Sequence, residues 1–125
     1  MELKPLDHIV IVVRYIGETE KFYSSFLGKP IHQDDQQLVY QVGYTKLFFT
    51  SPHGTFEERD KDRGGLNHIA FGVNTIEELR EFEKVLTDAS IKNSGVKIDK
   101  HGGKDYIWFD DPSGFRVEIY CRPLR

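Results

Sequence analysis

LDHIVIVV, residues 6–13, reappears sixty positions later as LNHIAFGV, residues 66–73. Self-similarity at a fixed spacing indicates that a structural unit is duplicated within the chain. Each copy is an apolar run of strand length with a histidine as its third residue. We therefore predict that both copies form buried β-strands.

An amphipathic helix is predicted after each of these strands. In the first half, the apolar residues of segment 19–27 are spaced for one helix face, and Gly28 is typical of a helix end. In the second half, segment 75–86 shows the same spacing, with Thr75 as N-cap and Glu78 at the capping-box position. Each half therefore begins as a strand followed by a helix.

Short strand-like segments, separated by turn residues, follow each helix. They cover residues 29–33, 37–42 and 46–50 in the first half, and residues 96–100, 106–109 and 115–120 in the second. The predicted fold class is α+β, with two tandem βαβββ modules whose curved mixed sheets form a cup. We predict a single domain over residues 1–125, with module 1 at about 5–51, a solvated linker loop at 52–65 and module 2 at about 66–122. Concave surfaces of this kind commonly hold small molecules.

The composition argues against several classes of protein. The 125 residues include 17 Lys and Arg against 20 Asp and Glu, a formal net charge of −3 that does not suit a nucleic-acid partner. No apolar stretch approaches the roughly 18 residues of a membrane span, and the first residues do not resemble a signal peptide. The single cysteine, Cys121, cannot form an internal disulfide and suits a reducing compartment. We expect a cytoplasmic protein with no nucleic-acid or membrane partner.

Two histidines, His8 and His68, occupy equivalent positions in the repeat. An imidazole within an apolar strand needs a polar partner, since an unsatisfied buried polar group costs roughly 1 to 3 kcal/mol. Glu118 interrupts the apolar residues of the final strand, and neutral nitrogen with carboxylate oxygen is a donor set that divalent metals bind. We predict His8, His68 and Glu118 as metal ligands. The alternative is that the histidines are structural and Glu118 is an outward-facing charge at a sheet edge.

The motifs that contain these residues resemble the vicinal-oxygen-chelate superfamily, which includes glyoxalase I, fosfomycin-resistance transferases, extradiol dioxygenases and bleomycin-binding proteins. The motifs are LDH ending at His8, LNH ending at His68, and FDDPSGFRVE ending at Glu118. The resemblance covers nearly the whole chain. It implies one divalent metal ion, Fe, Mn, Ni or Zn, held at the positions of these three residues. It also implies a homodimer, with the ligands of one site drawn from one chain or from two.

Departures from the family's patterns bear on the reaction. Glyoxalase I supplies a second glutamate from its first half, but aligning Gly43 with Gly114 places Leu47 at that position, which disfavours a four-ligand lactoylglutathione lyase. Fosfomycin transferases carry a threonine where this chain has Val10. These two activities are therefore not expected here.

A third comparison within the family concerns the extradiol dioxygenases. Their signature places a histidine upstream of the Asp-Pro motif, and His101 fits that spacing. Trp108 stands where the signature has a tyrosine, and Asp99 also departs from the pattern. We predict His101 as a catalytic residue, with an exposed loop position as the alternative.

Strand alternation predicts which side chains line the ligand site, because every second residue of a strand faces the same way. The last two strands of the second half, and the strand at 46–50 of the first half, each present alternate residues to the cup. The predicted substrate-lining residues are Phe49, Tyr106, Trp108, Arg116 and Tyr120. Aromatic side chains with one arginine suit an apolar or aromatic substrate that bears an oxygen anion. The alternative for the aromatic residues is a place in the ordinary core.

Two functions from different classes are compatible with these features. The first is a divalent-metal-dependent enzyme, a lyase or a dioxygenase, acting on a small molecule that is chelated through vicinal oxygens. The second is a non-catalytic drug- or toxin-binding protein of the bleomycin-resistance type, which uses the same cup without a metal. Because proteins of the second kind generally lack the three ligands, His8, His68 and Glu118 favour the enzyme.

Overall fold

A computed structural model describes residues 1–60 and 62–122 of the chain. In the described ranges, one order of elements occurs twice: strand, helix and three strands. The first copy comprises β1 (His8–Val12), α1 (Ile16–Leu27), β2 (His32–Gln33), β3 (Gln37–Val42) and β4 (Thr45–Thr50). The second comprises β5 (His68–Val73), α2 (Ile76–Asp88), β6 (Lys97–Ile98), β7 (Asp105–Asp110) and β8 (Arg116–Cys121). The predicted α+β fold with two βαβββ modules is confirmed.

The chain divides into two compact units, and the boundary falls between Glu58 and Arg59. This boundary lies inside the segment predicted as a linker. No described helix is both long enough and apolar enough to cross a membrane.

Each unit contains one four-stranded mixed sheet. The strand orders are β1-β4-β3-β2 and β5-β8-β7-β6. In both sheets the first strand pairs in parallel with the last, and the remaining pairs are antiparallel. The helix of each unit connects the first strand to the rest of the sheet and covers one sheet face. The histidine-bearing strand therefore forms one edge of its sheet.

The core of the first unit is an aromatic cluster between α1 and the sheet. The rings of Tyr23 and Phe49 lie 4.4 Å apart, and Tyr40 packs beside both. The Tyr40 hydroxyl hydrogen-bonds to the Ser24 hydroxyl at 2.8 Å and donates to the Glu20 carbonyl at 3.3 Å. Burial raises the pKa of Tyr40. The cluster joins the helix to both central strands.

Helix α1 begins at Ile16, three residues before the predicted start at Thr19. Its N-cap is Tyr15, whose side chain makes no capping hydrogen bond. The Thr19 hydroxyl instead donates to the Tyr15 carbonyl at 2.7 Å from within the first turn. The apolar spacing did not extend to this start, and no capping residue marks it in the sequence.

Helix α2 agrees with the sequence pattern at its beginning. The Thr75 hydroxyl accepts the backbone N–H of Glu78 at 3.1 Å, as a capping box requires. Leu79 and Leu86 are fully buried on the face that packs against the sheet. The sheet side of this core contains Ile107, Phe109, Val117 and Ile119, which are also buried.

The prediction that β1 and β5 are buried strands is wrong for three of the five residues of β1 and two of the six residues of β5, which are exposed. Val10 and Val12 are 55% and 53% exposed, and Ala70 and Gly72 are exposed at the corresponding positions of β5. Helix α2 packs on β5, whereas α1 packs on β3 and β4, and one face of each histidine-bearing strand stays open within its unit. An apolar run does not distinguish a strand covered on both faces from one covered on a single face.

Segment 52–65 is predicted to be a solvated linker loop, and Arg59 departs from that prediction. Its guanidinium lies 4.5 Å from the centre of the Phe115 ring. Its Nε atom is buried and has no hydrogen-bond partner in the described part of the chain. Asp60 and Arg63, by contrast, are exposed and form an ion pair of 3.8 Å. The linker is therefore held to the second unit through Arg59, and Lys61 lies outside the described residues.

Candidate metal centre

His68 and Glu118 meet on the open face of the second sheet. The parallel register pairs His68 with Arg116 and Ala70 with Glu118, so these residues share one face of β5 and β8. Nε2 of His68 lies 3.4 Å from Oε1 of Glu118. Glu118 belongs to an interior strand and is only 8% exposed. It is therefore not a solvated charge at a sheet edge, which was the alternative considered for it.

A side-chain oxygen of the preceding residue orients the His68 ring. Nδ1 of His68 lies 2.7 Å from Oδ1 of Asn67. Because an amide oxygen only accepts, Nδ1 must donate, and the neutral ring then carries a lone pair on Nε2. That lone pair faces the Glu118 carboxylate, which is also an acceptor. Two acceptors at this distance require a cation or a proton between them.

The separation of these two acceptors is compatible with a shared metal ion. Two ligands that lie about 2.1 Å from one ion, at angles between 90° and tetrahedral, are about 3.0 to 3.4 Å apart. The observed 3.4 Å is longer than the usual range of about 2.7–3.2 Å for an N–H···O hydrogen bond. The pair is therefore better suited to coordination than to direct proton sharing.

His8 repeats this local arrangement in the first unit. Its Nδ1 lies 2.7 Å from Oδ2 of Asp7, and its ring packs edge-on against Phe48 at 5.5 Å. An ionised carboxylate has no hydrogen to donate, so Nδ1 of His8 must be the donor. The neutral His8 ring therefore also carries its lone pair on Nε2. The described residues include no group of three or more His, Cys, Asp or Glu arranged to hold a metal ion. The structure thus brings His68 and Glu118 together and presents His8 in the other unit.

Sequence reasoning did not identify Asp7 and Asn67 as orienting residues. Both stand directly before the repeated histidine, and both carry a side-chain oxygen. Carboxylate or amide partners of this type commonly fix the tautomer of a metal-binding histidine. The repetition of such a residue at the same position was the signal available in the sequence.

The strand register corrects the alignment of the two halves. His8 pairs with Lys46 and Val10 with Phe48, whereas His68 pairs with Arg116 and Ala70 with Glu118. Phe48 is therefore the first-half equivalent of Glu118, and the assignment of Leu47 to that position is wrong. Between the turn glycine and this position, the first half has one residue more than the second. The turn before β4 has two residues, and Val42 pairs with Thr45 across it. The first-half position equivalent to Glu118 therefore still carries no glutamate.

The same register shows that Phe49 does not line the open face. Phe49 is fully buried and lies in the aromatic cluster with Tyr23, on the side of the sheet opposite His8. Its predicted role as a substrate-lining residue is wrong, because the alternation was counted from the wrong partner of Glu118.

Four other predicted lining residues share the face of Glu118. Tyr106 and Tyr120 are cross-strand partners whose rings stack at 4.8 Å, with 14° between the ring planes. Trp108 is the cross-strand partner of Glu118, and the Arg116 guanidinium lies 3.9 Å from the centre of the Trp108 ring. Arg116 also donates to Asp110 at 2.7 Å. These contacts hold a rigid aromatic surface beside the carboxylate.

The Tyr120 hydroxyl interacts with Glu118. Burial, together with the charge of Glu118 and a hydrogen bond to it, raises the pKa of Tyr120 to about 12. The phenol stays protonated at neutral pH, and its O–H is oriented to donate a hydrogen bond to the Glu118 carboxylate.

The Asp-Pro-Ser-Gly segment before β8 forms a structural turn. Oδ1 of Asp111 accepts the backbone N–H groups of Ser113 and Phe115, each at 2.9 Å. Asp111 is buried, and Gly114 adopts a positive φ of 84° that suits glycine. The turn sets the start of β8 and thereby the position of Glu118.

His101 lies in the exposed turn between β6 and β7. Its backbone N–H donates to Oδ1 of Asp99 at 3.1 Å, and its side chain is exposed. This is the exposed loop position given as the alternative to a catalytic role.

A cavity of 370 Å³ is bordered by Ala70 and Tyr120, which neighbour Glu118 on the open face of the second sheet, although His68 and Glu118 are not among its lining residues. Its floor is formed by Ala70 and Gly72, where small residues leave space above the sheet. Tyr120, Arg122 and the β6–β7 turn form its sides. The site therefore has room for a small molecule beside the proposed ligands.

Comparisons with known proteins agree with the fold described above. The family model described as Glyoxalase/Bleomycin resistance protein/Dioxygenase superfamily matches residues 5–119. The uncharacterized protein YaeR of Escherichia coli (strain K12) is 24% identical over 127 residues, covering 94% of this chain and 96% of its own.

Two solved structures illustrate the similarity of fold. The glyoxalase family protein from Enterococcus faecalis is 24% identical with a TM-score of 0.78, covering 96% of this chain and 99% of its own. Lactoylglutathione lyase from Agrobacterium tumefaciens is 16% identical with a TM-score of 0.77, covering 96% and 95%. At these identities the structures show a shared fold.

Proposed function

Because the chain belongs to the Glyoxalase/Bleomycin resistance protein/Dioxygenase superfamily, we propose that it is a divalent-metal-dependent enzyme acting on a small molecule with vicinal oxygens. The observation that carries the proposal is the 3.4 Å approach of Nε2 of His68 to Oε1 of Glu118. These two acceptors face each other on a partly enclosed surface, and a cation between them removes their repulsion.

His8 is proposed as the third ligand. Its ring has the same oriented tautomer as His68, with a lone pair on Nε2 and a carboxylate oxygen on Nδ1. We propose that this histidine comes either from the same chain or from a second copy in a homodimer. Two imidazoles and one carboxylate form a donor set suited to Fe, Mn, Ni or Zn.

The residues present fit such an ion. Three protein ligands leave coordination positions open, as a catalytic site requires. When bound, the ion would act as a Lewis acid on the two oxygens of the substrate, as in a lyase or a dioxygenase. The first-half position equivalent to Glu118 is occupied by Phe48, which supplies no fourth ligand.

Other side chains on the Glu118 face of the second sheet have two proposed roles. They hold the metal ligands in position, and they bind the substrate. Tyr120 donates a hydrogen bond to Glu118 and limits the rotation of its carboxylate. The Arg116–Trp108 pair and the Tyr106–Tyr120 stack provide a flat surface for an aromatic or apolar substrate. His101 remains our candidate for proton transfer, since the turn that contains it borders the cavity through Asp99 and Gly102.

Metal analysis of the protein tests the proposal. Protein purified without chelator or nickel resin should contain about one Fe, Mn, Ni or Zn ion per site, measured by elemental analysis. The variants His8→Ala, His68→Ala and Glu118→Gln should each lose the metal. His53→Ala is the matched control, because His53 is exposed and lies in the linker segment.

Two outcomes would contradict the proposal. Wild-type protein that stays metal-free and still binds small molecules would support a binding protein of the bleomycin-resistance type instead. Full metal content in Glu118→Gln would show that the ion lies elsewhere. Mixing His8→Ala subunits with Glu118→Ala subunits distinguishes the two sources of His8, since metal binding returns in the mixture only if one site uses two chains.

A further inference from the structure

Two cationic side chains line the cavity at the end away from His68. They are Lys104, just before β7, and Arg122, just after β8. Within residues 1–60 and 62–122, neither side chain forms an ion pair or a hydrogen bond. Both charges are therefore available to a ligand in the cavity.

The backbone positions Arg122 over the cavity floor. Its N–H donates to the Val73 carbonyl at 2.6 Å and so continues the β5–β8 pairing by one residue. A Cβ atom placed on Gly72 would lie 3.5 Å from Cβ and 3.6 Å from Cδ of Arg122. The arginine stem thus lies across Gly72, which brings the guanidinium to the cavity side of the sheet.

Among residues 1–60 and 62–122, Asp99 is the one carboxylate that lines this cavity, and it is used within its own turn. Its Oδ1 accepts the N–H of His101, and its Oδ2 accepts the N–H of Gly102, both at 3.1 Å. Two positive charges and one internally bonded negative charge leave this end of the cavity net positive. Such a site favours an anion.

Strand geometry gives the spacing between this positive end and the proposed metal ligands. Glu118, Tyr120 and Arg122 are alternate residues, and each two-residue step of a strand spans about 6.7 Å. The Cα atoms of Glu118 and Arg122 are therefore about 13 Å apart. Tyr120 lies between them, stacked on Tyr106.

We propose that Arg122 and Lys104 bind the anionic head group, a carboxylate or a phosphate, of an extended small-molecule substrate. The body of this molecule lies over Tyr120 and the backbone of Gly72. Arg122 is suited to the task because a guanidinium binds both oxyanions through two parallel hydrogen bonds, while Lys104 adds a point charge. The inference deepens the proposed function by naming the substrate as an anion whose charge is remote from the chelating oxygens.

Binding of matched probes to metal-free protein tests the inference. The probes are 3-phenylpropionate, 2-phenylethyl phosphate and the neutral 3-phenylpropanol, with EDTA present. Trp108 is the only tryptophan of the chain and shares the face of Tyr120, so its fluorescence reports binding. At low salt at least one anionic probe should bind about tenfold more tightly than the alcohol, and the better of the two identifies the head group.

Variants assign this preference to the two cations. Arg122→Gln should remove most of it while leaving alcohol binding within about twofold, and Lys104→Gln should remove a smaller part. Arg122→Lys should retain part of the preference and provides a second test if the glutamine variant folds poorly. Lys100→Gln is the matched control, since this exposed lysine lies in the same turn but does not line the cavity.

Equal affinity of wild-type protein for the anions and the alcohol would overturn the inference. A loss in Lys100→Gln as large as that in Arg122→Gln would also overturn it, because the effect would then be one of overall charge. The readout is independent of the proposed metal site. Anion preference without metal binding would contradict only the proposed function, and metal binding without anion preference would contradict only this inference.

Discussion

Nε2 of His68 lies 3.4 Å from Oε1 of Glu118, and the parallel pairing of β5 with β8 holds the two residues there. Both atoms are hydrogen-bond acceptors when the imidazole is neutral. The arrangement is therefore favourable only when a cation or a proton lies between the two atoms.

The substitution Glu118→Gln should separate metal binding from folding. Glutamine keeps the shape of the side chain but replaces the anionic ligand with a neutral amide, so metal affinity should fall by at least about 100-fold. Competition with a chromophoric chelator measures this affinity. Glu81→Gln removes the same charge from an exposed position on α2 and should leave the affinity unchanged. Equal affinities in the two variants would argue against Glu118 as a ligand.

The residue before His68 should control metal affinity through the orientation of the ring. Asn67→Leu removes the acceptor that lies 2.7 Å from Nδ1, and we expect a 10- to 100-fold loss of metal affinity, the usual range for such partners. Asn67→Asp should preserve or increase the affinity, because Asp7 fills this role beside His8. If the leucine variant binds metal as tightly as the aspartate variant, ring orientation does not matter here.

Asp111 should be important for stability. Its carboxylate accepts two backbone N–H groups in a buried turn, so Asp111→Ala leaves two donors without their partner. We expect the free energy of unfolding to fall by about 2 to 4 kcal/mol, measured by urea denaturation. Asp111→Asn retains an acceptor oxygen and should lose less. A smaller loss in the alanine variant than in the asparagine variant would show that the turn does not depend on these bonds.

Tyr40 should make stability depend on pH in the alkaline range. Because burial raises the pKa of Tyr40 in the folded protein above its usual value of 10.0, the unfolded chain loses this proton first. The stabilisation is therefore fully present below pH 10 and is lost as the pH rises through the folded-state pKa.

Tyr40→Phe tests this pH dependence. The variant should lose about 1 kcal/mol of unfolding free energy at neutral pH, since the hydrogen bonds to Ser24 and Glu20 are removed. Above pH 10 its stability should decline less steeply than that of wild type, as followed by urea denaturation at several pH values. Tyr44→Phe is the control, because Tyr44 is exposed and should show neither change. An unchanged alkaline slope in Tyr40→Phe would assign the titration to other groups.

Local patterns in the sequence predicted the elements of each unit well. The repeat of the histidine-bearing strand, the capping box of Thr75 and the strand at residues 37–42 all correspond to observed structure. These features depend on neighbouring residues in the chain. Alternation also placed Tyr106, Trp108, Arg116 and Tyr120 on the face of Glu118, because a strand repeats every two residues wherever it lies.

The register between paired strands, which decides which residues face each other, could not be deduced from the same patterns. Counting from the turn glycines matched Leu47 with Glu118 and placed Phe49 in the ligand site, whereas the pairing of β1 with β4 makes Phe48 the equivalent residue. A slip of one residue moves every side chain to the other face of the sheet. The stacking of Arg59 on Phe115 also joins residues far apart in the chain.

The sequence was therefore sufficient for the duplication, for the order of strands and helices, and for the choice of His8, His68 and Glu118 as the proposed metal ligands. The tertiary structure decided which of these residues meet. It buried Glu118 beside His68, directed both Nδ1 atoms to the preceding side chains, and placed Lys104 and Arg122 around one cavity. The physical reason is that periodicity and capping are local properties of the chain, while register, burial and the field of neighbouring charges arise only when distant strands pair.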